Sequence, residues 1–116
     1  SHIAISEAAA EVDAAELLLL RDIAEMRAFA EAGAPVPLEC RARYKRDSAY
    51  AVTLCARAGH RLFSKSGGNA LYDSSPLQRG FRDLHAMEVH ALLNFDNSGE
   101  QYGRIRLGLP PTNPVI

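Results

Sequence analysis

The sequence has no excess of positive charge and no long apolar run. Thirteen Lys and Arg residues stand against fourteen Asp and Glu residues, which gives a net charge of −1. Because proteins bind nucleic acids with cations that neutralise phosphates, this balance gives no support for such binding. The longest apolar run, in AAELLLLRDIA, is far too short to span a bilayer. No basic segment followed by a leucine-rich one opens the chain, as it would in a signal peptide.

Cysteine is scarce, with only Cys40 and Cys55 in 116 residues. Both fall within one predicted helix, where fifteen residues separate their Cα atoms by about 22 Å. A disulfide cannot bridge that distance. We therefore expect both thiols to be reduced and the protein to be cytoplasmic.

The sequence also lacks a serine-nucleophile motif and a phosphate-binding loop motif. The chain has no G-x-S-x-G, so it has no serine nucleophile elbow. The SGG at residues 66–68 follows no strand and is not part of G-x-x-x-x-G-K-[ST], so it is a weak phosphate loop and a better helix stop. Motifs of this kind therefore assign no activity.

Three segments have apolar residues at steps of three and four, which is the period of an amphipathic α-helix. The first runs from Ser6 to about Ala32, the second from Leu38 to about Lys65, and the third starts after Ser75. The predicted apolar face of the first comprises Ile5, Ala8, Val12, Ala15, Leu19, Ile23, Met26 and Ala30. Small residues in the second helix (Ala49, Ala51, Ala56, Ala58 and Gly59) predict close approach of another helix.

The third helix has a clear predicted start. Ser75 before Pro76 suits an N-cap followed by proline, and Gln78 completes a capping box. Its apolar face should include Leu77, Phe81, Leu84, Val89 and Leu92. We expect a kink or short break over residues 94–99, and then a last turn or two over residues 100–107.

Strand signals are poor throughout the chain, so the sequence predicts an all-α fold. We expect an antiparallel bundle of three to four long helices. The final LGLPPTNPVI is rich in proline and should form a tail that lies extended on the surface.

A dense polar cluster opens the third helix. Arg79, Arg82 and Asp83 can be a solvated face with a weak ion pair. Arginine early in a helix is unfavourable against the helix dipole, so a nearby anion would explain it better. The phosphate of a flavin or nucleotide would serve, and so would a carboxylate of another helix or subunit.

His85 and His90 lie five residues apart, so they project about 140° apart around the helix axis. They cannot both bind one metal from that helix in the usual i, i+4 manner, and we expect no metal site. In one interpretation, one histidine faces the core or a partner and the other faces solvent. In the other, one of them points into a pocket as an acid, a base or a hydrogen-bond donor. A Glu88 that shares a face with His85 is more often structural.

The segment SGGNALYDSSPLQRGFRDLHAMEVH and the residues after it resemble the C-terminal helical domain of flavin-dependent monooxygenases built on the acyl-CoA dehydrogenase fold. These are oxygenase components of two-component aromatic hydroxylases. The opening ISEAAAEVDAAELLLLRDI resembles an earlier helix of the same domain. The resemblance implies a homotetramer with this domain at its centre. It also implies a reductase that supplies reduced flavin, FMN or FAD, and a small aromatic or related organic substrate.

The resemblance also implies site residues. The SGGNALY loop would approach flavin, often that of a neighbouring subunit, and the start of the next helix would supply cations. The implied cofactor-binding residues are Ser66, Gly67, Gly68, Arg79 and Arg82. His85 and His90 match the histidines of the family's R-D-x-H-x-x-x-x-H pattern. At least one of them is expected to act beside flavin and substrate as a base or hydrogen-bond donor.

Two departures from the family qualify this interpretation. Acyl-CoA dehydrogenases carry a catalytic glutamate of an E-G-T stretch some eight residues beyond the aspartate that matches Asp83. Here that position is Ala91, which favours an oxygenase over a dehydrogenase. Family members are also several times longer, so we expect residues 1–116 to be a fragment that exposes an apolar face and self-associates. A dehydrogenase with a base elsewhere and a non-catalytic helical oligomerisation module are the alternatives.

Overall fold

The computed structural model describes residues 2–64 and 76–113. Within these residues the chain forms three α-helices: α1, His2–Ala32; α2, Leu38–Phe63; and α3, Pro76–Arg106. They contain no strand, which confirms the all-α prediction. The predicted starts of α2 and α3 are also confirmed, whereas the Ser75 cap lies outside the described residues.

The central helix of the fold is α2, because α1 and α3 each pack along it. Contacts between side chains show that both neighbours run antiparallel to α2. Arg61, near the end of α2, pairs with Glu11 near the start of α1. Arg106, at the end of α3, pairs with Glu39 at the start of α2. The antiparallel bundle is therefore the observed architecture.

The first helix ends at a glycine that the turn requires. Gly33 has φ +64°, a left-handed conformation in which L side chains are strained. Its N–H donates to Ala30 O at 3.1 Å, and the Ala34 N–H donates to Phe29 O at 3.0 Å. This pair of hydrogen bonds is a Schellman motif, which satisfies carbonyls that the helix end would leave unpaired.

The sequence predicted a kink or a short break over residues 94–99. The break is not observed, because α3 is helical through that stretch. The Phe95 ring packs against Tyr50 of α2 at a centroid distance of 5.4 Å. Farther on, the Arg46 guanidinium lies 4.2 Å from the Tyr102 ring centroid. These contacts on both sides of Gly99 stabilise the helix despite the low helix propensity of Asn, Asp, Ser and Gly.

Small residues form the core, as predicted for α2. The buried alanines of that helix are Ala42, Ala49, Ala51, Ala56 and Ala58. Leu54 joins Ala51 and Ala15 of α1 in an apolar cluster, against which Leu18 and Tyr50 pack. Alanine at these points lets helix backbones approach closely.

The predicted apolar face of α1 was largely wrong. Ala8 and Ala15 of that face are buried as predicted, but Ile5, Val12 and Ile23 are exposed, and Ala4 and Asp22 are buried instead. The reason is the chemistry of α2, whose arginines attract the acidic residues of α1 and whose alanines leave room for small partners. Leu18 packs against the α1–α2 cluster, whereas Leu17, Leu19 and Leu20 are exposed.

A similar correction applies to α3. Val89 and Leu92 are exposed, whereas Ala91 and Gln101 are buried. Phe81 and Leu84 are half-buried, as expected for the helix face that meets α2. Nothing is assigned to the Leu77 side chain, which lies outside the described part.

The described part of the Pro-rich tail, residues 107–113, has neither helix nor strand. It folds back on α3 through Gln101, whose Nε2 donates to Thr112 Oγ1 at 2.6 Å. In return, the Thr112 N–H donates to Gln101 Oε1 at 2.8 Å. The buried amide therefore exchanges hydrogen bonds with the returning chain and fixes its position.

Both cysteines are free and half-buried, as the spacing within α2 predicted. None of the described helices has the length and apolarity needed to cross a membrane.

Candidate functional site

His90 lies at a cavity of about 530 Å³ between α2 and α3. The cavity is lined by Met26, Tyr44, Lys45, Ser48, Ala49, Val52, His90, Ala91, Asn94 and Ser98. His90, Asn94 and Ser98 are spaced by four residues, so the helical period places them along one face of α3. An apolar cavity with a few polar groups is the usual form of a small-molecule site.

The described residues that line this cavity include no carboxylate. Ala91, the position at which an acyl-CoA dehydrogenase would have its catalytic glutamate, is buried beside His90. The polar groups of this lining are the imidazole of His90, the amide of Asn94, the Lys45 ammonium and the hydroxyls of Tyr44, Ser48 and Ser98.

Tyr44 is held in place by Glu25 of α1. Its hydroxyl donates to Glu25 Oε1 at 2.9 Å, and Arg43 makes an ion pair with the same oxygen. Hydrogen bonds from Arg43, Cys40 and Tyr44 lower the pKa of Glu25 to about 2. Burial, together with the hydrogen bond to Glu25, raises the pKa of Tyr44 to about 12. Tyr44 is therefore neutral at physiological pH, and its proton is directed away from the cavity.

The two implied flavin-binding arginines of α3 are exposed. Arg79 and Arg82 make no ion pair with a carboxylate among the described residues, so the local pair with Asp83 is not observed. Arg79 precedes His90 by eleven residues, which places the two about 20° apart around the axis and about 16 Å apart along it. The other implied residues, Ser66, Gly67 and Gly68, lie outside the described residues.

The structure separates the two predicted catalytic histidines. His85 does not line the His90 cavity. Its ring instead lies edge-on to the ring of His60 on α2, with 6.1 Å between the centroids. His60 Nε2 contacts the carboxylate of Glu88, one turn beyond His85 on α3. The sequence gives no signal for His60, because nothing in its local spacing shows that α3 returns beside it.

Sequence reasoning also missed a buried pair of carboxyl groups between α1 and α2. Asp22 is 3% exposed and Asp47 is 1% exposed. Asp47 accepts hydrogen bonds from Arg21 at 2.8 Å and from Arg46 at 2.7 Å. The nearest guanidinium nitrogens to Asp22 belong to Arg21 at 3.5 Å and Arg43 at 3.9 Å, and neither oxygen of Asp22 has a hydrogen-bond donor.

A proton on Asp22 resolves this arrangement, because it lets Asp22 donate to Asp47. Burial, followed by the neighbouring Asp47, raises the pKa of Asp22 to about 6. Burial alone would raise the pKa of Asp47, but hydrogen bonds from Asp22, Arg46 and Arg21 outweigh it and lower that pKa. The two carboxyl groups thus hold one proton between them in mildly acidic solution. The sequence does contain one signal for the burial of Asp22. Ala4, Ala8 and Ala15 lie on the same face of α1 as Asp22, and small residues at helical spacing indicate a face that packs closely against another helix.

Residues 1–95 match the family described as "Acyl-CoA dehydrogenase, C-terminal domain". The chain belongs to this family. Over all 116 residues it is 36% identical to the flavin-dependent monooxygenase oxygenase subunit HsaA of Mycobacterium tuberculosis, of which it covers 29%. It is also 36% identical, over 95% of its length, to 28% of the FADH(2)-dependent resorcinol hydroxylase oxygenase component of Rhizobium sp..

Solved structures agree with this assignment. The chain superposes on the HsaA monooxygenase from M. tuberculosis with a TM-score of 0.83 and 38% identity, over 96% of this chain and 29% of that one. For the 3-HSA hydroxylase from Rhodococcus sp. RHA1 the TM-score is 0.88 and the identity 36%, over 99% and 30% of the two chains. The chain therefore spans about three tenths of the length of these relatives, which are named as monooxygenases or hydroxylases.

Proposed function

We propose that this chain is the C-terminal helical domain of the oxygenase component of a two-component, flavin-dependent monooxygenase that hydroxylates an aromatic substrate. The relatives at 36% identity are oxygenase components by name. The observation that carries the proposal is the placement of His90 at an apolar cavity whose described lining has no carboxylate. A dehydrogenase of this fold needs a carboxylate base there, whereas hydroxylation of a phenol needs a group that holds the substrate and exchanges a proton with it.

The residues present fit a flavin. A cavity of about 530 Å³ lies in the range of small-molecule sites. Arg79 and Arg82 are exposed cations nearer the start of α3 than His90, about 20° and about 80° from it around the helix axis. A flavin has its phosphate at the end of a ribityl chain, so cations are expected at some distance from the group that faces the ring. Reduced flavin, when bound, supplies the activation of molecular oxygen.

We assign His90, in preference to His85, to the side of the site that faces flavin and substrate. Its imidazole can accept the proton of a substrate hydroxyl or donate a hydrogen bond to it, and histidine commonly does both near neutral pH. Asn94, one turn farther along α3, supplies an amide to the same cavity. Arg79 and Arg82, with Ser66, Gly67 and Gly68, are proposed to hold the phosphate end of the cofactor.

We propose a separate flavin reductase as the partner, because the relatives' names describe one component of a larger system. A phenolic substrate follows from names such as resorcinol hydroxylase. The choice between FMN and FAD, a homotetramer and a cytoplasmic location are further parts of this proposal. The exposed leucines of α1 support burial of this helix in a larger assembly.

The test is made on the full-length protein with flavin reduced by a separate reductase. We expect at least one phenol, from a panel including resorcinol and p-hydroxyphenylacetate, to gain one ¹⁸O atom from ¹⁸O₂. In His90→Ala, hydroxylation should fall by about 10²-fold or more, a typical loss for an acid–base group. His90→Asn should recover part of the rate if the histidine acts as a hydrogen-bond donor.

Flavin affinity and helical content are measured for each variant, so that a folding defect is not mistaken for a loss of chemistry. His2→Ala is the matched control, because His2 is an exposed histidine at the start of α1, far from the cavity in sequence. Hydroxylation at the parent rate in His90→Ala would contradict the assignment of His90. Absence of oxygen transfer, combined with reduction of flavin by an acyl-CoA, would favour the dehydrogenase alternative.

A further inference from the structure

A second cluster of chemically active side chains lies where the end of α2 meets the first half of α3. His60 comes from α2, and His85 and Glu88 come from α3. One ligand atom of each residue can be chosen so that all three lie within 4.8 Å of one another. Nε2 of His60 already contacts the Glu88 carboxylate across the two helices. The cluster is separate from the His90 cavity, to whose lining none of these residues belongs.

His60 Nε2 is shielded from solvent and has no aligned hydrogen-bond partner, although the Glu88 carboxylate touches it. The His60 ring is fixed by its packing. Phe81 lies edge-on to it at a centroid distance of 5.4 Å, and Phe63 supports Phe81 at 5.7 Å. An oriented imidazole whose shielded Nε2 atom lacks an aligned partner can accept a different one.

Two imidazoles and one carboxylate form a ligand set that binds zinc and related divalent ions, with a fourth position left for water. Metal–ligand bonds of about 2.0–2.1 Å at tetrahedral angles place ligand atoms about 3.3 Å apart. The observed separation of at most 4.8 Å therefore requires only side-chain rotation. His85 and Glu88 lie three residues apart on one helix, so their side chains project in neighbouring directions.

The positive charge near the cluster is partly compensated. Arg57 and Arg61 lie beside His60 and Glu88 around a shared surface cavity. Arg61 is neutralised by Glu11, at 2.9 Å, and by Glu7 of α1. The Arg57 guanidinium is directed to the Tyr50 ring, at 5.9 Å from its centroid.

We propose that His60, His85 and Glu88 bind a divalent transition metal ion of the zinc type, which joins α2 to α3. The metal takes the lone pairs of two neutral imidazoles and the charge of the carboxylate, so binding releases protons from any charged histidine. It adds a link between two helices that meet there through the His60–Glu88 contact, aromatic contacts and the packing of Leu84 against Gly59. Its role is to stabilise this end of the α2–α3 interface, independently of the flavin chemistry proposed above.

The test uses the full-length protein after removal of metal with EDTA, without flavin or substrate. A calorimetric titration with Zn²⁺ at pH 7.5 should show a binding site in the parent. This site should be lost in His60→Ala and in His85→Ala. In Glu88→Gln the dissociation constant should rise by at least about tenfold. Zn²⁺ should also raise the Tm of the parent.

His2→Ala is the control for loss of an ordinary exposed histidine, and it should keep the full zinc stoichiometry. Because His85 is exposed, its replacement tests the site even if His60→Ala folds poorly. Titration with Co²⁺ reports the coordination of the bound ion directly, because tetrahedral Co²⁺ absorbs visible light intensely. This absorption should appear in the parent and be absent in His85→Ala. Equal zinc stoichiometry and affinity in the parent, His60→Ala and His85→Ala would overturn the proposal, and so would a parent that binds no zinc.

Discussion

Asp22 shows how one residue can set the pH response of the α1–α2 interface. Its carboxyl group is buried against Asp47 and has no hydrogen-bond donor of its own. Its pKa is raised from 3.8 to about 6 by burial and by Asp47. Between these two values the folded chain holds a proton that the unfolded chain releases. The contribution of Asp22 to stability therefore decreases as the pH rises through this window, and stays low above it.

Asp22→Asn should remove this dependence, because the amide donates to Asp47 without taking up a proton. We expect the Tm of the variant, relative to the parent, to increase between pH 4.5 and pH 7.5. The corresponding gain in unfolding free energy is on the order of 2 kcal/mol. Asp13→Asn, an exposed change on the same helix, is the control and should give a difference that is constant with pH. A constant difference for Asp22→Asn would contradict the shared-proton interpretation.

Individual residues were predicted from the sequence only where the local pattern decides their environment. The position of His90 on a helix face that meets a pocket was one of two interpretations left open, and the structure places it at the cavity. Asp22, Asp47 and His60 could not be found in the same way. Their neighbours lie on other helices, and the helical period gives the direction of a side chain but not its partner.

At the scale of the elements, the packing of α2 on α3 depends on Gly59. A Cβ atom at this position would overlap the side chain of Leu84 on α3. The Leu84 side chain thus occupies the space that a Cβ atom would need, one residue before His60. Small residues of α2 were recognised in the sequence as a sign of such an approach, and this prediction is confirmed by the burial of its alanines.

Gly59→Ala should lower the Tm of the full-length protein, because overpacking at Leu84 outweighs the gain of about 1 kcal/mol in helix propensity. In a Leu84→Ala background the same change should be neutral or stabilising. The double-mutant cycle should give a coupling on the order of 1 kcal/mol. Gly103→Ala is the matched control, since a Cβ there meets nothing within 4 Å, and it should raise the Tm in both backgrounds.

The helices themselves were predicted well, and their orientations about their own axes were not. The existence of α1, α2 and α3 follows from periodicity and from the Gly and Pro residues between them. The identity of the buried face of α1 does not follow from periodicity. The leucines of α1 are so numerous that several of its faces have apolar residues at helical spacing. The choice of Ala4, Ala8 and Ala15 depends on arginines and alanines of α2, which the sequence of α1 does not reveal.

At the scale of the whole molecule, the exposed leucines of α1 are the main liability. Leu17 is 66% exposed and Leu20 is 53% exposed, on a helix that faces α2 with alanines. Ile3, Ile5 and Ile23 of the same helix are exposed as well, and exposed apolar surface of this kind marks an interaction site or a risk of aggregation. In the relatives, seven tenths of the chain lies outside the part that this chain matches.

The 116-residue chain alone should therefore self-associate, as the sequence led us to expect. Analytical ultracentrifugation should give a mass above 12.6 kDa, with helical content verified by circular dichroism. The double change Leu17→Gln and Leu20→Gln should shift the distribution toward monomer. Leu107→Gln, which alters a leucine that is also exposed but lies at the end of α3, should leave the distribution unchanged. A monomeric parent chain would show that these leucines do not drive association.

The central position of α2 also has a consequence for the order in which the fold opens. Each outer helix, α1 or α3, can exchange its amide hydrogens with solvent once that helix detaches from α2. The amide hydrogens of α2 become accessible only after both outer helices have detached. Deuterium uptake should therefore be slowest in the middle of α2, around Leu54, and faster in the two helices that flank it.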